Sequence, residues 1–289
     1  MIKVDPNNPR GIVWLASYPK SGNTWLRIFL YQLMRIMGGH PREENELNKL
    51  DRASAYEAHL FGLFQQFLDK PLKEASRLDV MSVRALVHAT IADRIKNVAL
   101  VKTHNLLGEL GGMPTINLTA SAGVVYLVRD PRDVAPSLAK HIGSSIDQAI
   151  EVMRTPAFAT ENGAEAAFEV WGSWSDHVTS WTEDASEEVL IVRYEDMLAN
   201  PRETFTKITH HLGQTPAEEQ IAEAIALSSF DKIQKQEADA GFRERSPKAD
   251  RFFASGKAGG WRNKLTEAQA DAIVAAHRNS MIRFGYIDP

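Results

Sequence analysis

The chain has 289 residues and no cysteine. Disulfides, thiolate catalysis and cysteine metal sites are therefore excluded. Long apolar runs are also missing. No stretch approaches the roughly 18 apolar residues that a spanning helix needs. The first ten residues, MIKVDPNNPR, lack the apolar centre of a signal peptide. A cytoplasmic protein with no membrane span is the expectation. There are nine histidines but no HExxH or other ligand-spaced cluster, so no metal is expected. His210 and His211 read as surface residues. Excess positive charge is absent too: the formal net charge is −4. Nothing points to nucleic acid, and any anion site must be local. Internal repeats and low-complexity linkers are lacking, so residues 1–289 read as a single domain.

What is present is ordinary globular composition, with 44% hydrophobic and 24% charged residues. Four short apolar runs read as strands: IVWLAS at 12–17, VALV at 98–101, VVYLV at 124–128 and VLIV at 189–192. They are nearly unbroken and rich in β-branched residues, as strands covered on both faces are. Helical patterns separate them. Trp25, Phe29 and Leu33 recur at i, i+4 and i+8, and residues 56–68 and 217–227 are amphipathic. The alternation predicts an α/β fold with a central parallel sheet flanked by helices.

Each apolar run ends in polar chemistry. The first leads into SYPKSGNTW (17–25), the second into Lys102-Thr103-His104, the third into Arg129-Asp130-Pro131-Arg132-Asp133, and the fourth into Arg193-Tyr194-Glu195-Asp196. In open parallel sheets, ligands bind outside the carboxyl ends of the strands. A turn between a strand and a helix offers successive N–H groups to an anion. Gly22 permits close approach, Lys20 supplies charge, and Ser21 and Thr24 supply hydroxyls. The bland alternative is a plain turn with Ser21 as helix cap. The pattern G-x-x-x-x-G-K-S/T is absent, because lysine precedes glycine here. In the third segment Asp130 reads as an N-cap and Pro131 as the first helical residue. Arg129 can fork onto a phosphate with help from Ser137, or simply pair with Asp133 or Asp196. Lys102 and His104 alternate onto one side of their strand. A cation beside an imidazole suits deprotonation of a hydroxyl under charge stabilisation. Lastly, RFFASGKAGGWRNKLT (251–266) reads as a loop able to fold over an anion, or as a connection to a helix started by Thr266 and Glu267.

In this order, these segments resemble the sulfotransferases that use 3′-phosphoadenosine 5′-phosphosulfate (PAPS). YPKSGNTW resembles the family's 5′-phosphosulfate loop YPKSGTTW, with Asn23 in place of one threonine. LVRDPRDVAPSL resembles the 3′-phosphate segment, KTH the strand carrying the catalytic histidine, RYEDM the tyrosine segment and GKAGGW the C-terminal G-x-x-G-x-W loop. The resemblance implies a P-loop-like three-layer α/β/α fold and transfer of a sulfuryl group from PAPS to a hydroxyl of a small-molecule acceptor. It implies that Lys20, Ser21, Gly22, Asn23 and Thr24 cradle the 5′-phosphosulfate, and that Trp25 stacks on adenine. Arg129 and Ser137 would hold the 3′-phosphate. Tyr194, Ser228 and Phe230 would contact or cover the adenine end, and Ser255 and Gly256 would offer N–H groups. His104 would be the general base, assisted by Lys102 and Lys20, with no metal.

The sequence departs from the family pattern at Ala254 and Ser255, which stand where arginine and lysine are usual in F-x-R-K-G. Each charge-assisted bond lost there is worth roughly 1.5–3 kcal/mol, and Arg251, Lys257 or Arg262 would have to compensate. Arg262, Thr266, Glu267 and Asp271 echo the family's dimer segment, so a homodimer is one expectation. Aromatic residues at Tyr56, Phe61, Phe64, Phe67, Phe158 and Phe168 suggest an apolar acceptor cleft, although packed core explains most of them. Two other functions compete: a small-molecule kinase, which would need magnesium and ATP, and a non-catalytic nucleotide-binding relative.

Overall fold

The structure is a computed structural model that describes residues 1–3, 10–41, 46–246, 250–253 and 256–289. These residues form two compact units, each assembled from three chain segments. The first comprises Met1–Tyr18, Ser54–Leu127 and Pro156–Ile191; the second comprises Pro19–Ala53, Val128–Thr155 and Val192–Pro289.

The first unit carries the central sheet. Its strands are β1 (Ile12–Ser17), β2 (Ala55–Tyr56), β3 (Ala99–Thr103), β6 (Ser121–Val128) and β7 (Val189–Arg193), in the order β2-β3-β1-β6-β7. A small hairpin of β4 (Glu109–Leu110) and β5 (Met113–Pro114) stands apart from it. β1 pairs in parallel with β3 and β6, and every one of its residues is buried. That central place explains why its apolar run is unbroken. β3 runs past its apolar stretch because Lys102 and Thr103 still pair with Leu15 and Ala16. The helices of this unit are α2 (Phe61–Phe67), α3 (Arg77–Arg94) and α6 (Trp174–Thr182). The helix expected over 56–68 is therefore shorter. Tyr56 pairs with Lys102 in the sheet, and Glu57–His59 form one 3-10 turn. The reason is Glu57, whose carboxylate is drawn into the core.

There Glu57 is fully buried against a fully buried Arg84, 3.2 Å away. Asn105 Nδ2 donates to it at 3.0 Å. His88 accepts the Asn117 N–H at Nδ1, so its Nε2 is the protonated nitrogen that faces Glu57 at 3.4 Å. Burial raises the Glu57 pKa, but the Arg84 charge and the His88 and Asn105 contacts outweigh it and hold it below the usual glutamate range.

The second unit is helical: α1 (Asn23–Met37), α4 (Pro131–Ile142), α5 (Ile146–Arg154), α7 (Tyr194–Ala199), α8 (Pro201–His211), α9 (Glu218–Leu227), α10 (Phe230–Ala240) and α11 (Glu267–Arg283). Its N-termini follow the sequence signals. Asp130 caps α4 by accepting from the Arg132 N–H, with Pro131 first in the helix, and Thr266 and Gln269 form a capping box on α11. Phe29 of α1 stacks on Phe205 of α8 at 4.0 Å. His210 is exposed as expected, but His211 is buried. It lies three residues after Ile208, on the same inward helix face. No helix among the described residues is long and apolar enough to cross a membrane.

Arg84→Met should leave Glu57 as an uncompensated buried charge and lower stability by about 3–5 kcal/mol, read from urea unfolding at neutral pH. The Glu57 contribution is present above the unfolded-state glutamate pKa and is lost as pH falls through its depressed folded value. The variant's deficit should therefore shrink in acid.

Candidate active site

The bend after β1 is built for close approach. Lys20 has φ 68° and Gly22 φ 102°, both in the left-handed region. Gly22 is the N-cap of α1, and no side chain caps that helix. The bland alternative, a plain turn with Ser21 as helix cap, is thus not what forms. Its hydroxyl is fully buried and has no hydrogen-bond partner. A Cβ on Gly22 would come within 2.6 Å of the Tyr194 ring. An uncapped helix N-terminus, an unsatisfied hydroxyl and a glycine pressed on a ring together fit an anion cradle. Asn23 and Thr24, the first residues of α1, are buried beside it. The Lys20 ammonium rests 3.8 Å above the centre of the Phe252 ring.

The remaining residues assigned to the nucleotide mostly cluster within this second unit. Arg129 donates from Nη1 to the Lys20 carbonyl at 3.0 Å and from Nη2 to the Lys257 carbonyl at 3.3 Å. Its guanidinium lies 4.3 Å over the Tyr194 ring, and its buried Nε has no partner. The alternatives of pairing with Asp133 or Asp196 are not what forms. Asp196 faces Arg193 at 3.9 Å. Asp133 instead accepts the Gly259 N–H at 2.6 Å and the Trp261 N–H at 2.8 Å. Sequence reasoning gave Asp133 no such role. Its two bonds fasten the glycine-rich loop to the first turn of α4.

Trp25 donates its indole N–H to the Ser228 carbonyl at 2.8 Å and meets Tyr194 edge-on at 5.9 Å. The Ser228 hydroxyl donates to the Ala224 carbonyl at 2.8 Å, so only its lone pairs remain for a ligand. Gly256, at φ 55°, lies so close to the Phe230 ring that a Cβ there would clash. Trp261 is flanked by Arg132 at 4.3 Å and Arg262 at 4.6 Å, so Arg262 faces that ring. Ser137 is partly buried on α4. Ser255 and Ala254 lie outside the described residues.

The first unit holds the other half of the expected chemistry. The His104 Nδ1 lies 2.7 Å from the Ser17 carbonyl oxygen. A carbonyl only accepts, so Nδ1 carries the proton and the lone pair of the neutral ring sits on Nε2. The backbone of His104 is held at both ends. Its N–H donates to Glu169 Oε1 at 3.0 Å, and its carbonyl accepts from His177 Nε2 at 3.1 Å. Burial depresses the His177 pKa to about 3, so that ring stays neutral while the Tyr126 hydroxyl donates to its Nδ1 at 2.8 Å. Lys102 and His104 meet one residue, as their alternation predicted. The Lys102 ammonium sits 3.7 Å above the Tyr56 ring, and the His104 ring meets it edge-on at 5.8 Å. Tyr18 packs against Trp171 and His177, and Phe158 against Trp171. Phe64 and Phe168 are core, whereas Phe61 and Phe67 are exposed.

The family model for the sulfotransferase domain matches residues 11–285, and the chain belongs to that family. The PAPS-dependent sulfotransferase expected from the motifs stands at that level. Cytosolic sulfotransferase 16 of Arabidopsis thaliana is 26% identical over 275 residues, covering 90% of this chain and 72% of that protein. Sulfotransferase 1A1 of Bos taurus is 27% identical over 282 residues, covering 92% and 82%. The fold is shared with a retinol dehydratase solved with androsterone and the inactive cofactor PAP, at TM-score 0.63, 23% identity and coverage of 95% of this chain and 82% of that one. It is shared as well with mouse sulfotransferase SULT7A1 complexed with PAP, at TM-score 0.57, 20% identity and coverage of 96% and 86%.

Asp133→Ala should strand two backbone N–H groups, each worth about 1–3 kcal/mol. Local opening of residues 256–263 should rise at least about tenfold, read as faster tryptic cleavage after Lys257 and Arg262.

Proposed function

We propose that this chain transfers the sulfuryl group of PAPS to the hydroxyl of an apolar small-molecule acceptor. The acceptor oxygen attacks sulfur as the bond from sulfur to the bridging phosphate oxygen breaks. The proton passes to Nε2 of His104, and adenosine 3′,5′-bisphosphate (PAP) departs. The chemistry resembles phosphoryl transfer, in which positioning and cationic stabilisation dominate. Lys20 neutralises charge developing on the leaving phosphate, and Lys102 stabilises the peripheral oxygens of the transferring group. Ser21, Gly22, Asn23 and Thr24 cradle the 5′ end. Arg129, with Nε unused, and Ser137 hold the 3′-phosphate.

The observation that carries this reading is the cradle itself: a buried, unpartnered Ser21 hydroxyl at an uncapped helix N-terminus beside Gly22. Trp25, Tyr194, Ser228, Phe230 and Gly256 are grouped with it and suit an adenine. For the acceptor, the rings of Tyr18, Tyr56, Phe158 and Trp171 favour a flat or lipid-like alcohol. Androsterone and retinol in the fold relatives are alcohols of that kind.

Titration calorimetry with PAP should give binding that is unchanged by magnesium or EDTA. Absence of binding overturns the proposal, and a magnesium requirement with preference for ATP indicates a kinase instead. His104→Ala should lower turnover with PAPS by about 10²–10⁴-fold while leaving PAP affinity within about twofold. Full activity in that variant removes His104 as base.

A further inference from the structure

Glu169 has no part in the chemistry so far, yet its carboxylate is engaged by three residues around His104. It is 4% exposed. Its Oε1 accepts the His104 N–H at 3.0 Å. Its Oε2 accepts the Tyr56 hydroxyl at 2.8 Å and the Trp171 indole N–H at 3.3 Å. Its own backbone is fixed to Thr160 in both directions at 2.9 Å, by N–H to Oγ1 and by carbonyl from N–H. The Leu106 N–H donates to the Val170 carbonyl at 2.7 Å, and the Val170 N–H donates to Asn105 Oδ1 at 2.8 Å. Residues 169–170 thus lie zipped against residues 104–106.

A buried carboxylate is costly, and a neutral side chain would fill the same space more cheaply. Three donors offset part of that cost, and all three belong to residues around His104. Tyr56 is the informative one. Its ring seats the Lys102 ammonium at 3.7 Å and meets the His104 imidazole edge-on at 5.8 Å. A phenol that donates to a carboxylate gains electron density in its ring, which strengthens the ring's hold on a cation.

We propose that Glu169 is the positioning residue of the transfer reaction, holding His104 through its backbone N–H and Lys102 through the Tyr56 ring. One carboxylate thereby sets the spacing between the base and the cation. Trp171 completes the set and carries that spacing to the aromatic wall that receives the acceptor. Burial, and after it the Glu57 charge, raise the Glu169 pKa above the usual glutamate range, and Lys102, Tyr56 and the His104 N–H oppose that rise only in part. This role rests on the sulfotransferase reading above.

The test compares wild type, Glu169→Gln, Tyr56→Phe and the double variant. PAP affinity is measured by calorimetry, and transfer by single-turnover reaction with labelled PAPS and a phenolic acceptor. Each single variant should slow transfer on the order of 10- to 100-fold, with PAP affinity and acceptor KM within about threefold. The double variant should be no slower than the slower single one, because both act through one link. Rates equal to wild type overturn the inference. So does a rate loss matched by equal loss of PAP affinity, or additive effects in the double variant. Should Glu169→Gln fail to fold, Tyr56→Phe alone decides by the same rate and affinity criteria. A wild-type protein that neither binds PAP nor transfers sulfuryl overturns the sulfotransferase reading itself, whereas an active wild type with equally active variants overturns only the role of Glu169.

Discussion

The bond from His104 Nδ1 to the Ser17 carbonyl at 2.7 Å decides which ring nitrogen carries the proton. A histidine without such a partner samples two tautomers and several ring orientations. Here the last residue of β1 also fixes the imidazole, so Nε2 carries the lone pair. The two backbone groups of His104 are held as well, by Glu169 and His177. His177 can serve because burial keeps it neutral and Tyr126 fixes its own tautomer. Orientation is thereby supplied by fixed dipoles before any substrate arrives.

Around the helix N-terminus the design is complementary. Cations are numerous but held. Lys20 rests on Phe252, Arg129 lies on Tyr194 and spans two backbone carbonyls, and Arg132 and Arg262 flank Trp261. Aromatic faces lower the cost of like charges gathered in a partly buried place. The C-terminal loop is fastened by a carboxylate rather than by its own side chains, since Asp133 accepts two of its N–H groups. Anchoring the loop's backbone before ligand arrives reduces the ordering cost of binding.

Much of this was legible from sequence because it is local. The four strands, the Asp130–Pro131 helix start and the glycine-bearing turn all declare themselves within ten residues. What escaped depends on distant partners. Asp133 sits four residues from Arg129, so charge pairing was the natural expectation. The loop backbone it holds lies over a hundred residues away, and no local pattern announces it. Tyr56 read as part of a helix face because β2 has only two residues, too few to show alternation. Glu169 sits in an irregular segment whose value comes from facing residues 56 and 104. Ser228 stood at the expected position, but its hydroxyl had already found the Ala224 carbonyl. His211 looked like half of an exposed pair, and its burial follows from which helix face Ile208 selects.

The most direct measurement of the central claim is the tautomeric state of His104 in the PAP-bound protein, read from the nitrogen-15 shifts of its ring. The expected result is a ring protonated on Nδ1, with the lone pair on Nε2. A ring protonated on Nε2 with a bare Nδ1 would contradict it, because the nitrogen held by Ser17 would then be the only base available.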